Sequence, residues 1–251
     1  MILISRKKGG LVAVAATIAL FIIQAREVSS HSIWNRPVVT EFSTLHGRFS
    51  RTFERNNIAE TIEGEFYYSA SGRILVEVSS PLHQIMIIEA NITTIYYPES
   101  KRAFRLESAN PVILPLVPGL MAAIRSDYGL ADIGFKLLSQ QMRGDTLICL
   151  WSHPKERDRI GDFKIAQVND RLAYTFHESP DSLAWNKTTF SNYIAVGGIF
   201  FPTDILSEIH SLTDNSKERV TLSELKMDVE IPPHILNFRI PEGVTVEKKK
   251  W

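Results

Sequence analysis

The spacing of apolar residues changes once, early in the chain, and then holds. Between residues 38 and 53, Val39, Phe42, Leu45, Phe49 and Phe53 recur every three or four positions, which predicts one face of an amphipathic helix. From Gly64 onward the period is two. Residues 64–68 (GEFYY) and 74–78 (ILVEV) flank Ser69-Ala70-Ser71-Gly72, a turn composition, and Ser79-Ser80-Pro81 breaks the chain again. Residues 84–88 (QIMII) and 92–97 (ITTIYY) flank Glu89-Ala90-Asn91, and Pro98–Lys101 separates them from a strand over 102–106. Short β-rich runs with turns at regular spacing predict an antiparallel meander.

Residues 109–142 read differently. Pro111, Pro115 and Pro118 punctuate an apolar stretch, and 131–142 follow a helical pattern. Proline suits the first turn of a helix, so Pro118 opens a predicted helix, and residues 118–142 form short helices across the sheet. After Gly144 strands resume at 146–151, 163–168, 171–176 and 190–201, with Asn169-Asp170 as a hairpin turn and 154–162 as a charged surface connection. Val220 and Leu222 are even-numbered, whereas Leu225, Met227, Val229 and Ile231 are odd. That slip predicts a β-bulge at Ser223-Glu224. The expected fold is mostly β with a few helices: a curved antiparallel sheet crossed by short helices, in one domain over 31–251.

Alternation assigns Phe66, Tyr68, Ile74, Val76, Val78, Ile85 and Ile87 to one face of that sheet. Leu75, Met86, Ile88 and Ile95 load the opposite parity as well, so apolar surface is in excess. A cover interrupted by three prolines over such a face describes an apolar cavity that can open. Acyl chains suit it, because each methylene removed from water contributes about 0.8 kcal/mol without directional contacts.

Composition narrows the partners. The 251 residues are 44% apolar and 10% aromatic, which excludes a disordered or collagen-like chain. Arg6, Lys7, Lys8 and Arg26 against Glu27 in residues 1–30 leave 24 basic and 27 acidic groups beyond, a net of −3. No basic field remains for nucleic acid. A basic start, a 13-residue apolar run (11–23) and small residues after it predict a signal peptide over 1–30, cleaved near 25 or 30, the alternative being an uncleaved anchor. The destination is an exported, soluble compartment. Cys149, the one cysteine, excludes an internal disulfide and any Cys-rich zinc site.

Catalytic patterns are missing. There is no GxSxG elbow, HExxH pair, phosphate loop or EF-hand, and no HxH or HxxxH pair among seven histidines. His83 and His177 read as surface or satisfied histidines, and Cys149 as a buried small hydrophobe. The expectation is a protein without cofactor, metal or catalytic residues.

Three pieces of the sequence resemble the LolA family of periplasmic lipoprotein carriers. Gly64-Glu65-Phe66, then Gly72-Arg73, Glu77 and Pro81, looks like that family's Gly-x-Phe, Pro-Gly-Arg-x-x-Trp-Glu and Pro series. Residues 85–98 are similar to its strand–turn–strand ending Tyr-x-Pro, and 238–246 (FRIPEGVTV) to its closing Phe-x-x-Pro-x-Gly-Val-x-Val. Val76 stands where the family has an aromatic, Ala90 at its turn glycine and Ala70 at its lid-holding arginine. The resemblance implies a LolA/LolB-type fold, an incomplete antiparallel β-barrel covered by short lid helices, with Leu116, Leu120, Met121 and Ile124 on the lid side of the cavity. It implies a monomeric, periplasmic carrier of acylated lipoprotein or lipid cargo. It further implies inner-membrane release machinery and an outer-membrane acceptor as partners. A LolA-like sensor or scaffold that binds envelope proteins without transfer is the alternative.

Overall fold

Two-residue turns set most of the architecture. In the computed structural model, which describes residues 42–89, 92–107, 125–131, 133–212 and 215–250, Asn56 and Asn57 both take positive φ (51° and 61°). They join β1 (Thr44–Arg55) to β2 (Ile58–Ser69), with Arg55 paired to Ile58. Asparagine tolerates the left-handed region that such tight hairpins need. Asn169 and Asp170 (φ 49° and 60°) do the same between β9 (Asp162–Val168) and β10 (Arg171–Glu178), as the sequence predicted.

The remaining strands are β3 (Arg73–Ser80), β4 (Gln84–Glu89), β5 (Ile92–Tyr97), β6 (Arg102–Glu107), β7 (Lys136–Arg143), β8 (Thr146–Ser152), β11 (Trp185–Val196), β12 (Ile199–His210), β13 (Asn215–Met227) and β14 (Thr245–Lys250). They form one curved sheet in the order β14-β6-β5-β4-β3-β2-β1-β13-β12-β11-β10-β9-β8-β7. Neighbours are antiparallel except β14, which runs parallel to β6. The sheet is not closed into a barrel. Among the described residues the helices are short: α1 (Arg157–Ile160) in the charged connection and α2 (Pro233–Leu236) near the C-terminus.

Three expectations are corrected. The helix over 38–53 is strand β1 from Thr44 onward. Leu45, Phe49 and Phe53 are four apart, a spacing helix and strand share, and Gly47 hides the strand alternation between them. A Cβ on Gly47 would lie 2.5 Å from Leu225 Cδ2 and 2.8 Å from Phe66 Cε1, so the inward side chain is missing because there is no room for it. The helical pattern over 131–142 is a run of turns followed by β7, an edge strand whose residues are almost all exposed, so no buried side imposes a period of two. The strand read over 190–201 is divided by Gly197-Gly198 (φ 56° and 85°) into β11 and β12. The bulge is where the sequence placed it: His46 pairs with Lys226 and Arg48 with Ser223, and Glu224 takes φ 51°. Residues 1–41, the Ala90-Asn91 turn and the prolines at 111, 115 and 118 lie outside the described residues.

Each face of the sheet carries its own apolar cluster. The larger holds Leu45, Phe49, Phe66, Val76, Phe201 and Val220 and extends to Trp151 and Phe163; this is the inner face. The smaller lies on the opposite side, where Leu75 and Ile87 pack against Ile231, Ile235 and Phe238. Those three belong to a C-terminal strap, residues 228–244. Ser43 donates its N–H and hydroxyl to Asp228 Oδ1, and Arg73 donates to the Leu236 and Phe238 carbonyls. The strap leads into β14 beside β6, placing the FRIPEGVTV segment across the back of the sheet.

Candidate functional site

Cross-strand pairing fixes which predicted side chains meet. Phe66 lies opposite Val76 and Gly47, Tyr68 opposite Ile74 and Leu45, and Gly64 opposite Val78. Side chains opposite one another share a face, so Phe66, Ile74, Val76 and Val78 join the inner cluster and Tyr68 packs against it. Ile85 and Ile87 do not. Val76 pairs with Met86 and Ile74 with Ile88, whereas Ile87 pairs with Leu75. Met86 and Ile88 therefore occupy the inner face of β4, and Ile85 and Ile87 sit under the strap. Leu116, Leu120, Met121 and Ile124 lie outside the described residues.

The cover over the far half of the inner face lies within the stretch the sequence assigned to short helices, 118–142, but it is not helical where it is described. Residues 125–131 and 133–135 fold as successive turns and place Tyr128, Leu130, Ile133 and Phe135 on the apolar cluster. Tyr128 meets Phe190 edge-on at 5.9 Å, and Phe135 meets Phe163 at 5.2 Å. Asp127 braces the segment from within: its carboxylate accepts from Arg125 Nε (3.1 Å) and Nη2 (3.2 Å) and from the N–H groups of Gly129 (3.1 Å) and Ala131 (3.3 Å). Burial works to raise this carboxyl, but Arg125 and the two backbone donors outweigh it and hold the group below its ordinary range. Gln167, buried on β9, donates to the Ser126 carbonyl at 2.9 Å and ties the segment to the sheet. No short motif marks Asp127 or Gln167: Gln167 meets a backbone carbonyl, and Asp127 meets two backbone N–H groups and the side chain of Arg125 two residues before it.

The face offers little to covalent chemistry. Cys149 is buried on it, and desolvation pushes its thiol up, which keeps it protonated at neutral pH. His177 stacks on Phe163 at 4.4 Å, and its Nε2 lies 2.5 Å from the Ile160 carbonyl; burial lowers its pKa and it stays neutral. His83 pairs with Glu77 at 3.0 Å. Among the described residues, no group of three or more His, Cys, Asp and Glu is placed to hold a metal, and no helix is long and apolar enough to cross a membrane. A groove of about 410 Å³ beneath the strap, between Arg73, Thr94 and Phe238, lies on the other side of the sheet.

No protein-family model and no curated protein matches the sequence. Solved structures do match the fold. A DUF1329 family protein of Desulfovibrio piger is similar with TM-score 0.56 at 13% identity, over 80% of this chain and 92% of its own. A LolA superfamily protein of Nitrosomonas europaea is similar with TM-score 0.52 at 13% identity, over 79% and 91%. A putative outer membrane lipoprotein-sorting protein domain of Vibrio parahaemolyticus is similar with TM-score 0.52 at 11% identity, over 78% and 89%. At such identities the likeness concerns the fold, which agrees with the motifs over 64–98 and 238–246: the chain has a LolA-like fold.

Proposed function

We propose that the protein is a periplasmic carrier that binds acyl chains of lipoproteins or other lipids against its inner face and shuttles them toward the outer membrane. One observation carries the reading. A continuous apolar face is covered by a segment, residues 125–131 and 133–135, that is braced from within by Asp127 and meets the sheet through apolar contact and the Gln167–Ser126 bond. An acyl chain entering between segment and sheet replaces one apolar contact with another. Ten methylenes withdrawn from water contribute about 8 kcal/mol, which corresponds to a dissociation constant of about 1 μM before ordering costs.

The reading is of binding and transfer, with no covalent step and no cofactor. Release machinery at the inner membrane and an acceptor at the outer membrane would load and unload a monomer exported by residues 1–30. The neighbour described as a lipoprotein-sorting domain supports the choice of cargo. Native mass spectrometry of the exported protein, followed by organic extraction and lipid analysis, tests it. Lipoprotein or phospholipid near equal stoichiometry is the expected result. An empty protein that takes up no fluorescent acyl probe would sink the carrier reading and turn attention to envelope-protein partners.

A further inference from the structure

Two hydrogen-bond donors on the inner face are buried and meet no acceptor among the described residues: the indole Nε1–H of Trp151, 8% exposed, and the Oγ1 hydroxyl of Thr93, 2% exposed. Register puts both side chains on the acyl-facing side. Trp151 lies opposite Phe163, a member of the inner cluster, and Thr93 lies opposite Ile88, another. Buried donors are nearly always satisfied, because a donor removed from water and left unpaired destabilises the fold. Valine in place of Thr93 would fill the same space without that penalty, and phenylalanine in place of Trp151 would keep most of the apolar contact without a donor. The donors therefore point to a ligand that brings acceptors of its own.

The chemistry of the acceptor is constrained. An indole N–H only donates, and a threonine hydroxyl facing an acceptor donates too. A carboxylate or phosphate would need a compensating cation, and the residues directly opposite these two donors are apolar: Ile88 and Leu106 for Thr93, Leu137 and Phe163 for Trp151. A neutral oxygen in an otherwise apolar ligand fits. We infer that Trp151 and Thr93 donate to the carbonyl oxygens of ester- or amide-linked acyl groups, so that the inner face distinguishes acyl chains from alkyl chains of equal length. The inference rests on the carrier reading and names what the carrier selects.

Diacyl and dialkyl-ether glycerolipids of matched chain length separate the possibilities. They differ at the carbonyl and hardly in hydrophobicity. Wild-type protein is expected to bind the diester at least tenfold more tightly than the diether in a fluorescent-probe displacement assay. The Trp151→Phe and Thr93→Val double variant should bind the two equally. The Thr93→Val single variant, which keeps the volume, should have an apo melting temperature unchanged or higher, because an unpaired donor has been removed; a structural role for that hydroxyl would lower it. Equal binding of ester and ether by the wild type, or a preference that survives in the double variant, overturns the inference and leaves the carrier reading standing. Binding of neither lipid overturns both.

Discussion

Asp127 is where the cover over the inner face is most open to a clean perturbation. Replacing it with Asn keeps the shape and removes the charge that Arg125 and the Gly129 and Ala131 N–H groups address. A hydrogen bond to a charged group contributes about 1.5–3 kcal/mol when buried. The Asp127 side chain is 18% exposed and Arg125 31%, so screening reduces the sum to about 2 kcal/mol. All four bonds stay within residues 125–131, so the loss falls on the segment rather than the sheet. About 2 kcal/mol raises the open population roughly 30-fold. Stopped-flow uptake of a fluorescent acyl probe should accelerate by that order, while strand content changes little. Acid should do the same to the wild type. The folded Asp127 pKa is depressed, so its stabilisation is in force above the ordinary carboxylate pKa and is lost as pH falls through the lower, folded value. Wild-type uptake should therefore speed up below about pH 4, and the Asn variant should show a flatter profile. Unchanged uptake in the variant, or identical pH profiles, would refute the role given to this segment.

Three further outcomes follow from the packing. A Cβ on Gly64 would lie 2.1 Å from the Glu77 carbonyl oxygen and 2.9 Å from Val78 Cα, both backbone atoms at a register shift. Gly64→Ala should cost about 2 kcal/mol and lower the melting temperature by about 4–8 °C in calorimetry. Phe238→Ala removes the ring beside Tyr96 (6.1 Å) and should loosen the strap. It should cost about 2 kcal/mol in urea unfolding and expose residues 228–244 to limited proteolysis. Cys149 is 2% exposed and its thiol is raised, so native protein should resist maleimide at pH 8 and react fully once unfolded.

Legibility followed the local rules. Asn169-Asp170 was readable because a two-residue turn needs left-handed residues, and the bulge because parity changes sides at Ser223-Glu224. The misplacement of Ile85 and Ile87 has a different origin. β4 is apolar on both sides, since the strap covers one and the inner cluster the other, and alternation within such a strand does not say which side is which. Pairing does: Val76 to Met86 carries even numbers to even numbers across β3 and β4. That register is set by the Pro81–His83 loop and by strap residues some 150 positions downstream, neither of which leaves a mark on the strand itself. The same blindness applies to Thr93 and Trp151. Each sits in an apolar run where a satisfied and an unsatisfied donor look alike in sequence.

The two covers of the sheet are built to different ends. On the outer side, the strap is anchored at its start by Asp228 and by the Thr44 hydroxyl on the Val229 carbonyl (2.6 Å), at its middle by Arg73, and at its end by six paired positions between β14 and β6. Lifting it means breaking a sheet edge. On the inner side, residues 125–135 rest on Phe190 and Phe163 through ring edges and on Gln167 through one carbonyl. Apolar contact has no direction, so a chain of methylenes can take the place of Tyr128 and Phe135 with small loss. The strap keeps β3 to β5 in register while the other side opens. A sheet held from behind and covered loosely in front can exchange a ligand without unfolding.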